Sequence, residues 1–271
     1  MEAIKTLAII GVGNMAEALL KGWLSAGLIT AGNTRAVELV PQRRDYIKQA
    51  YGIQVTNELT SAVAGADVVL IAVKPQQIAS IVPDLAQSLT PGALVISIVT
   101  GITLTHWARA LGEKTAIVRV MPNTPCLVGT SASGLCVGKW VSPAQKEVAL
   151  QLLQSVGKAF LLPESQLDAV TGLSGSGPAY VCLVIEALAA GGVYEGLSQD
   201  VALALAAQTV LGTATMILQS GEHPAVLRDK VTSAGGTTAR GLYALEQAGV
   251  RAALSTAVQA AAARARELGE D

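Results

Sequence analysis

Leu7-Ala8-Ile9-Ile10-Gly11-Val12-Gly13-Asn14-Met15-Ala16-Glu17-Ala18-Leu19-Leu20-Lys21-Gly22-Trp23 decides how the rest of the chain is read. The apolar run Leu7 to Ile10 has the character of a strand buried on both faces. Gly11 to Ala16 is a G-x-G-x-x-A turn, and Met15, Ala18, Leu19 and Trp23 then recur at helical spacing. Strand, glycine turn and helix in that order are the context in which this motif binds a dinucleotide. Gly11 permits the tight turn, Gly13 lets a pyrophosphate approach the backbone, and Ala16 lets helix and strand pack closely. The free N–H groups of the helix start, from Asn14 and Met15 onward, and its positive dipole end face the phosphates. The plainer alternative is a structural βα turn with no ligand.

Composition narrows the class. With 271 residues the chain holds one or two domains. It is 51% hydrophobic but only 3% aromatic, so Ala, Val, Leu and Ile must build its core. A net charge of −1 supplies no global basic field for nucleic acid. No apolar run reaches the length that spans a bilayer, so no membrane partner is expected. Met1 to Lys5 leads straight into the first strand, which leaves no room for a signal peptide. Cys126, Cys136 and Cys182 have no metal-ligand spacing, and an odd count favours reduced thiols in the cytoplasm. His106 and His223 are too few for a metal site, and none is expected.

The first half alternates strands and helices. Thr34 to Val40 reads as the second strand. Glu38, near its end, lies about 20 residues beyond the turn, where an acidic residue binds the adenosine ribose hydroxyls and favours NAD. Arg43 and Arg44 follow at once, and two guanidinium groups there can hold a 2′-phosphate or simply solvate a helix. Pro41 to Tyr51 is that helix, ended by Gly52. Ile53 to Thr56, Asp67 to Val73, Leu94 to Val99 and Ala116 to Val120 are further strands. Val73, Lys74 and Pro75 close one of them at the sheet edge where a cofactor lies, or merely cap it. Met121-Pro122-Asn123-Thr124-Pro125 leaves the same edge and can border the nicotinamide. Ser131 to Val137, a helix from Pro143 to Val156 and Ala159 to Leu162 extend a parallel sheet.

After Pro163 the strand pattern stops, which places a boundary between a dinucleotide-binding domain, 1–163, and a helical domain, 164–271. Ser174-Gly175-Ser176-Gly177-Pro178 precedes a helix from Ala179 to about Ala190, with Pro178 suited to its first turn. A second helix runs from Ser198 as N-cap to about Gln219. Both are apolar nearly all round and cannot face water. About a hundred residues cannot hide them, so an obligate homodimer is expected, with a higher homo-oligomer as an extension. Ser233-Ala234-Gly235-Gly236-Thr237-Thr238 then opens another helix. The Thr237 and Thr238 N–H groups with the Ser233 hydroxyl can cradle a carboxylate; threonine capping of a glycine turn is the equal alternative.

The chain as a whole resembles the delta-1-pyrroline-5-carboxylate reductase family. The resemblance rests on the glycine turn, Ala72-Val73-Lys74-Pro75, Arg119 to Pro125, Gly172 to Tyr180, and His223-Pro224 through Thr238. It implies an α/β fold, a Rossmann-type parallel sheet followed by an all-helical dimerisation domain. It implies NAD(P)H-dependent reduction of the cyclic imine to L-proline, at sites between the nucleotide domain of one subunit and helices of both. By the resemblance, Ser233 and the backbone at Thr237 and Thr238 hold the substrate carboxylate, and the Thr238 hydroxyl faces the ring nitrogen. Asn57, Val73 and Lys74 match cofactor contacts. Many members prefer NADPH and carry Ser or Arg where this chain has Glu38-Leu39-Val40, so NADPH is expected with NADH as the alternative.

Hydride transfer needs neither a nucleophile nor a metal, and a protonated imine already carries the charge that accepts a hydride. Catalysis is then mostly positioning. Glu164 can bind or help protonate substrate, or sit as a surface carboxylate at a helix start. A β-hydroxyacid dehydrogenase would need a lysine on the helix after Pro178, and that helix has none. A nucleotide-sensing or structural dimer with a decayed substrate site is the non-enzymatic alternative, opposed by Ser233, Gly235, Gly236 and Thr238.

Overall fold

The computed structural model describes residues 4–270. The expectation about the N-terminus rests in part on residues 1–3, which lie outside the described residues. The chain forms two compact units, one of residues 1–176 with residues 260 onward, the other of residues 177–259.

The first unit is built on strands β1 (Leu7–Ile10), β2 (Thr34–Val37), β3 (Gln54–Thr56), β4 (Val68–Ile71), β5 (Leu94–Ser97), β6 (Ala116–Met121), β7 (Ser131–Val137) and β8 (Gly157–Leu161). Their spatial order is β3-β2-β1-β4-β5-β6-β7-β8. Helices α1 (Asn14–Ser25), α2 (Pro41–Tyr51), α3 (Leu59–Val63), α4 (Ile78–Ser88), α5 (Leu104–Leu111), α6 (Pro143–Gln154) and the short α7 (Leu167–Val170) cover it. Successive strand residues serve opposite cores. Leu7 and Ile9 pack with Leu19, Trp23 and Leu152, whereas Ala8 and Ile10 pack with Val63, Leu85 and Trp107. Two-sided burial explains why the strands read as unbroken apolar runs.

The expected parallel extension of the sheet is corrected at one pairing. β6 and β7 are antiparallel, with Arg119 opposite Cys136, and β7 and β8 are parallel to each other. Only the short turn Thr124–Val128 joins β6 to β7, too little chain for a crossover that would return a parallel strand. β2 stops at Val37 rather than Val40 because the chain turns on Glu38, whose carboxylate accepts the Val40 N–H at 2.9 Å.

In the second unit, α8 (Gly177–Tyr194) packs along α9 (Gln199–Ser220), with Ala189, Ala202 and Ala206 at their seam. α10 (Pro224–Lys230), α11 (Thr237–Gln247) and α12 (Val250–Glu270) follow, and the end of α12 belongs to the first unit. There the backbone of Gly101 meets that of α12: a Cβ on Gly101 would lie 2.8 Å from the Leu268 carbonyl oxygen.

The Ser174–Gly177 segment is not the break its glycines suggest. Thr171–Gly175 is a π-turn, and helix runs from Glu164 to Tyr194. That continuity corrects the reading of apolar length. Glu164–Tyr194 and Gln199–Ser220 both have the length and composition to cross a membrane, though only 6% and 11% of their apolar windows are buried within the chain. Leu183, Leu188, Leu205, Leu211 and Leu218 are among the side chains left exposed.

Candidate active site

The glycine turn has the shape its sequence requires. Gly11 has φ +84°, and its N–H donates to the Val37 carbonyl at 2.9 Å. A Cβ there would lie 2.9 Å from Val73 Cγ1 and 3.1 Å from the Ala72 oxygen, so conformation and space both exclude a side chain. Gly13 is the N-cap of α1, no side chain caps that helix start, and nothing lies within 4 Å of where its Cβ would be. An open backbone face beside uncapped N–H groups fits a pyrophosphate.

This turn opens a cavity of about 610 Å³. It brings together Gly11, Gly13, Glu38, Asn57, Val73 and Lys74 from the sequence-predicted set. Leu39 and Val40 beside Glu38 also line it, as do Thr60 and Gln77, which the sequence did not single out. Asn14 is exposed beside Gly13, Ala16 is buried beneath the turn, and Met15 is half-buried with its sulfur 3.6 Å from Cys126 Sγ. Pro75 opens a short turn in which the Gln77 side chain accepts the Lys74 N–H at 3.1 Å.

The arginines after β2 are both engaged. Arg43 Nε donates to the Val12 carbonyl at 2.7 Å, and its guanidinium pairs with Glu17. Tyr46 and Tyr51 donate to the same carboxylate at 3.0 and 2.7 Å. Burial alone would raise the Glu17 pKa, but the hydrogen bonds from Tyr51, Arg43 and Tyr46 together hold it below the usual carboxylate value. Arg44 Nη1 donates to the Glu38 carbonyl at 3.0 Å.

Asn123 does not line the cavity. Its Oδ1 accepts from Ser131 Oγ at 3.0 Å and Ala132 N–H at 2.9 Å, and its Nδ2 donates to the Ser174 carbonyl at 3.0 Å. That carbonyl is the one Pro178, four residues on and without an N–H, cannot serve. Asn123 thereby ties the loop after β6 to the π-turn.

Glu164 is held in a clamp. Its Oε1 accepts the Leu104 N–H at 2.7 Å and Arg119 Nη1 at 3.1 Å, while Arg119 Nη2 reaches Asp168 Oδ1 at 3.3 Å. Arg119 is only 6% exposed, so two carboxylates balance a buried cation. The sequence carried a signal for this: a lone arginine inside the apolar strand Ala116–Met121 requires buried partners. Beside it, burial raises the Cys136 thiol pKa to about 11.

In the second unit, α11 begins at Thr237 with Gly236 as N-cap, and no side chain caps it. Gly235 has φ +66°, and the Gly236 N–H donates to the Ser233 carbonyl at 3.0 Å. A Cβ on Gly236 would come within 2.2 Å of Ser233 Oγ, so the glycine makes room for that hydroxyl at the helix start. Thr237 is exposed and Thr238 half-buried. An eleven-residue helix with open N–H groups and three hydroxyls is chemically equipped to hold a carboxylate.

Two family models match successive parts of the chain. Residues 6–101 match the family model NADP oxidoreductase coenzyme F420-dependent, and residues 164–268 match Pyrroline-5-carboxylate reductase dimerisation. A pyrroline-5-carboxylate reductase of Methanosarcina acetivorans is 44% identical over 97% of this chain and 98% of its own length. Among solved structures, a pyrroline-5-carboxylate reductase from Coxiella burnetii is 36% identical, with TM-score 0.90 over 98% of this chain and 99% of its own. The Plasmodium falciparum pyrroline carboxylate reductase with NADP bound is 32% identical, with TM-score 0.90 over 99% of both chains. Similar from end to end to proteins of one kind, the chain belongs to the pyrroline-5-carboxylate reductase family.

Proposed function

We propose that the protein reduces 1-pyrroline-5-carboxylate to L-proline, the final step of proline synthesis, in the cytoplasm and as a homodimer. NADPH is the reductant, with NADH as the alternative. The reading is carried by two open helix starts, one at Gly13 beside the cavity and one at Gly236, each suited to a different anion. The first holds the coenzyme pyrophosphate, with Gly11, Gly13, Glu38, Asn57, Val73 and Lys74 around the dinucleotide. Asn14, Met15 and Ala16 form the helix start itself, and Pro75 and Asn123 shape the neighbouring loops. The second, with Ser233, Thr237 and Thr238, holds the substrate carboxylate.

When bound, the reduced nicotinamide supplies a hydride. In an imine already protonated on nitrogen, the carbon that accepts the hydride would pass the C=N π electrons to that nitrogen, giving the neutral secondary amine of proline with no further proton needed. The chain's own residues orient and desolvate. The Thr238 hydroxyl hydrogen-bonds the ring nitrogen, and the α11 N–H groups neutralise the carboxylate. Glu164 keeps its place in the Arg119 clamp and acts by positioning rather than by contact. The helical region from residue 164 supplies the dimer face.

Turnover of the imine with NADPH tests the reading directly. Thr238→Ala lowers kcat by about a hundredfold, the scale of one lost preorganised hydrogen bond, with the melting temperature unchanged. Unaltered kinetics in that variant would remove Thr238 from the site.

A further inference from the structure

The loop between β5 and α5, residues 98–103, leaves the carboxyl edge of the sheet on the side of β1 away from β2, since β1 pairs with β4 and β4 with β5. A dinucleotide lies across that edge in a doubly wound sheet. With its pyrophosphate at Gly13 and its adenosine toward β2, its nicotinamide extends over β4 and β5. We propose that the last turn of α12 is a strap that positions this loop beside the nicotinamide for hydride transfer. The role rests on the coenzyme reading given above.

Two glycines far apart in the sequence make the contact. Gly101 has φ +82°, and a Cβ on it would lie 2.8 Å from the Leu268 carbonyl oxygen and 3.1 Å from the Gly269 nitrogen. A Cβ on Gly269 would in turn lie 2.6 Å from the Gly101 carbonyl oxygen. Every atom in these contacts is backbone, so no side-chain rotation relieves them, and each glycine makes room for the other's main chain. α12 reaches this point through buried Ala262 and Ala265, which anchor its approach by packing.

The loop is gripped at other points too. The Leu104 N–H, a first-turn donor of α5, is taken by Glu164 Oε1 at 2.7 Å, and Thr103 Oγ1 accepts the His106 N–H at 3.1 Å. Thr100 Oγ1 donates to Met121 Sδ, at the end of β6, at 4.0 Å. Glu164 thus holds the end of the loop, while Met121 and α12 hold its middle. Such a fixed surface matters in a reaction driven by positioning, where a displacement of about 1 Å can cost about a hundredfold in rate.

The test compares the full chain with one ending at Glu267, which loses Leu268 and Gly269 but keeps Ala262 and Ala265, and with Gly269→Ala. Arg264→Gln, at an exposed side chain of the same helix end that pairs with Glu267, is the control. Hydride transfer is followed by single-turnover oxidation of NADPH with the imine, coenzyme affinity by nucleotide fluorescence, and loop order by amide hydrogen exchange over residues 98–103. The shortened chain and Gly269→Ala are expected to lose about tenfold in hydride-transfer rate. Their NADPH dissociation constants stay within about threefold of wild type, because the pyrophosphate grip lies elsewhere on the coenzyme. Exchange over residues 98–103 rises in the shortened chain, and Arg264→Gln behaves as wild type. A shortened chain that transfers hydride within about twofold of the wild-type rate, or whose loop exchanges as in wild type, overturns the proposal. Parallel losses of melting temperature and NADPH affinity, or an equal rate loss in Arg264→Gln, overturn it as well, since they mark a general weakening of the fold. Wild type that oxidises no NADPH with the imine overturns the functional reading and this role together, whereas an active wild type with an equally active shortened chain overturns this role alone.

Discussion

Glu17 shows how one residue of the glycine-turn helix is tied to the next βα unit. It stands in the first turn of α1, where a carboxylate suits the helix dipole, and takes donors from Arg43, Tyr46 and Tyr51 of α2. Its folded pKa lies below the ordinary 4.5. A depressed carboxylate contributes stability that is complete above the unfolded value and is lost as pH falls through the folded one. Stability should therefore decline below about pH 4.5, and Glu17→Gln should flatten that part of the curve while lowering stability at pH 7. Urea unfolding from pH 7 to pH 3 measures both. An acid limb identical in the two proteins would show that the cluster does not stabilise the fold.

At the scale of elements, the sheet is extended sideways beyond β6 by a pair of strands that run against the rest. β7 and β8 depend on one close backbone approach. Gly157 has φ +149°, and a Cβ there would fall 2.2 Å from the Ser131 oxygen and 2.3 Å from its nitrogen. Both atoms are backbone and cannot give way by a side-chain rotation. Gly157→Ala is expected to cost about 3 kcal/mol or more, as strain at a special conformation combined with a steric clash. Denaturant unfolding reads the loss, and a cost under about 1 kcal/mol would mean that β8 can shift. The π-turn at Thr171–Gly175 is tied to the loop after β6 through the Asn123 amide, and the helical turns before it are tied to β6 through the Arg119 ion pairs. Such turns recur at functional sites because they re-aim a helix without breaking it.

For the whole molecule the decisive feature is how little of α8 and α9 is covered. Leu183 is 65% exposed and Leu211 60% exposed, on helices whose composition would also suit a bilayer. A face of this kind needs a partner, and in the proposed assembly the partner is a second copy of the chain. Leu205→Asp combined with Leu211→Asp should convert the dimer to monomer in light scattering coupled to size exclusion. Imine turnover should fall at least tenfold, as expected for obligate interfaces that bury charge without a partner. A double variant that stays dimeric would place the interface elsewhere.

Much of this was legible in the sequence because its causes are local. Gly11 and Gly13 answer a requirement of backbone conformation and approach at their own positions, and two-sided burial wrote the strands as apolar runs. The helix from Pro41 to Tyr51 and its stop at Gly52 were readable for the same reason. Other features depended on which distant groups meet. The short link after β6 turned β7 antiparallel, and Glu164 and Asp168 closed on Arg119. The Asn123 amide took the carbonyl that Pro178 leaves free, and the end of α12 came back to Gly101. Sequence alone determined the glycine turn, the order of strands and helices and the apolar faces, since each follows from a residue's own conformation or from periodicity along the chain. Strand direction, the buried ion clamp and the bonding of each polar side chain were decided only by the tertiary structure, because a buried charge or carbonyl is satisfied by whatever folding brings beside it.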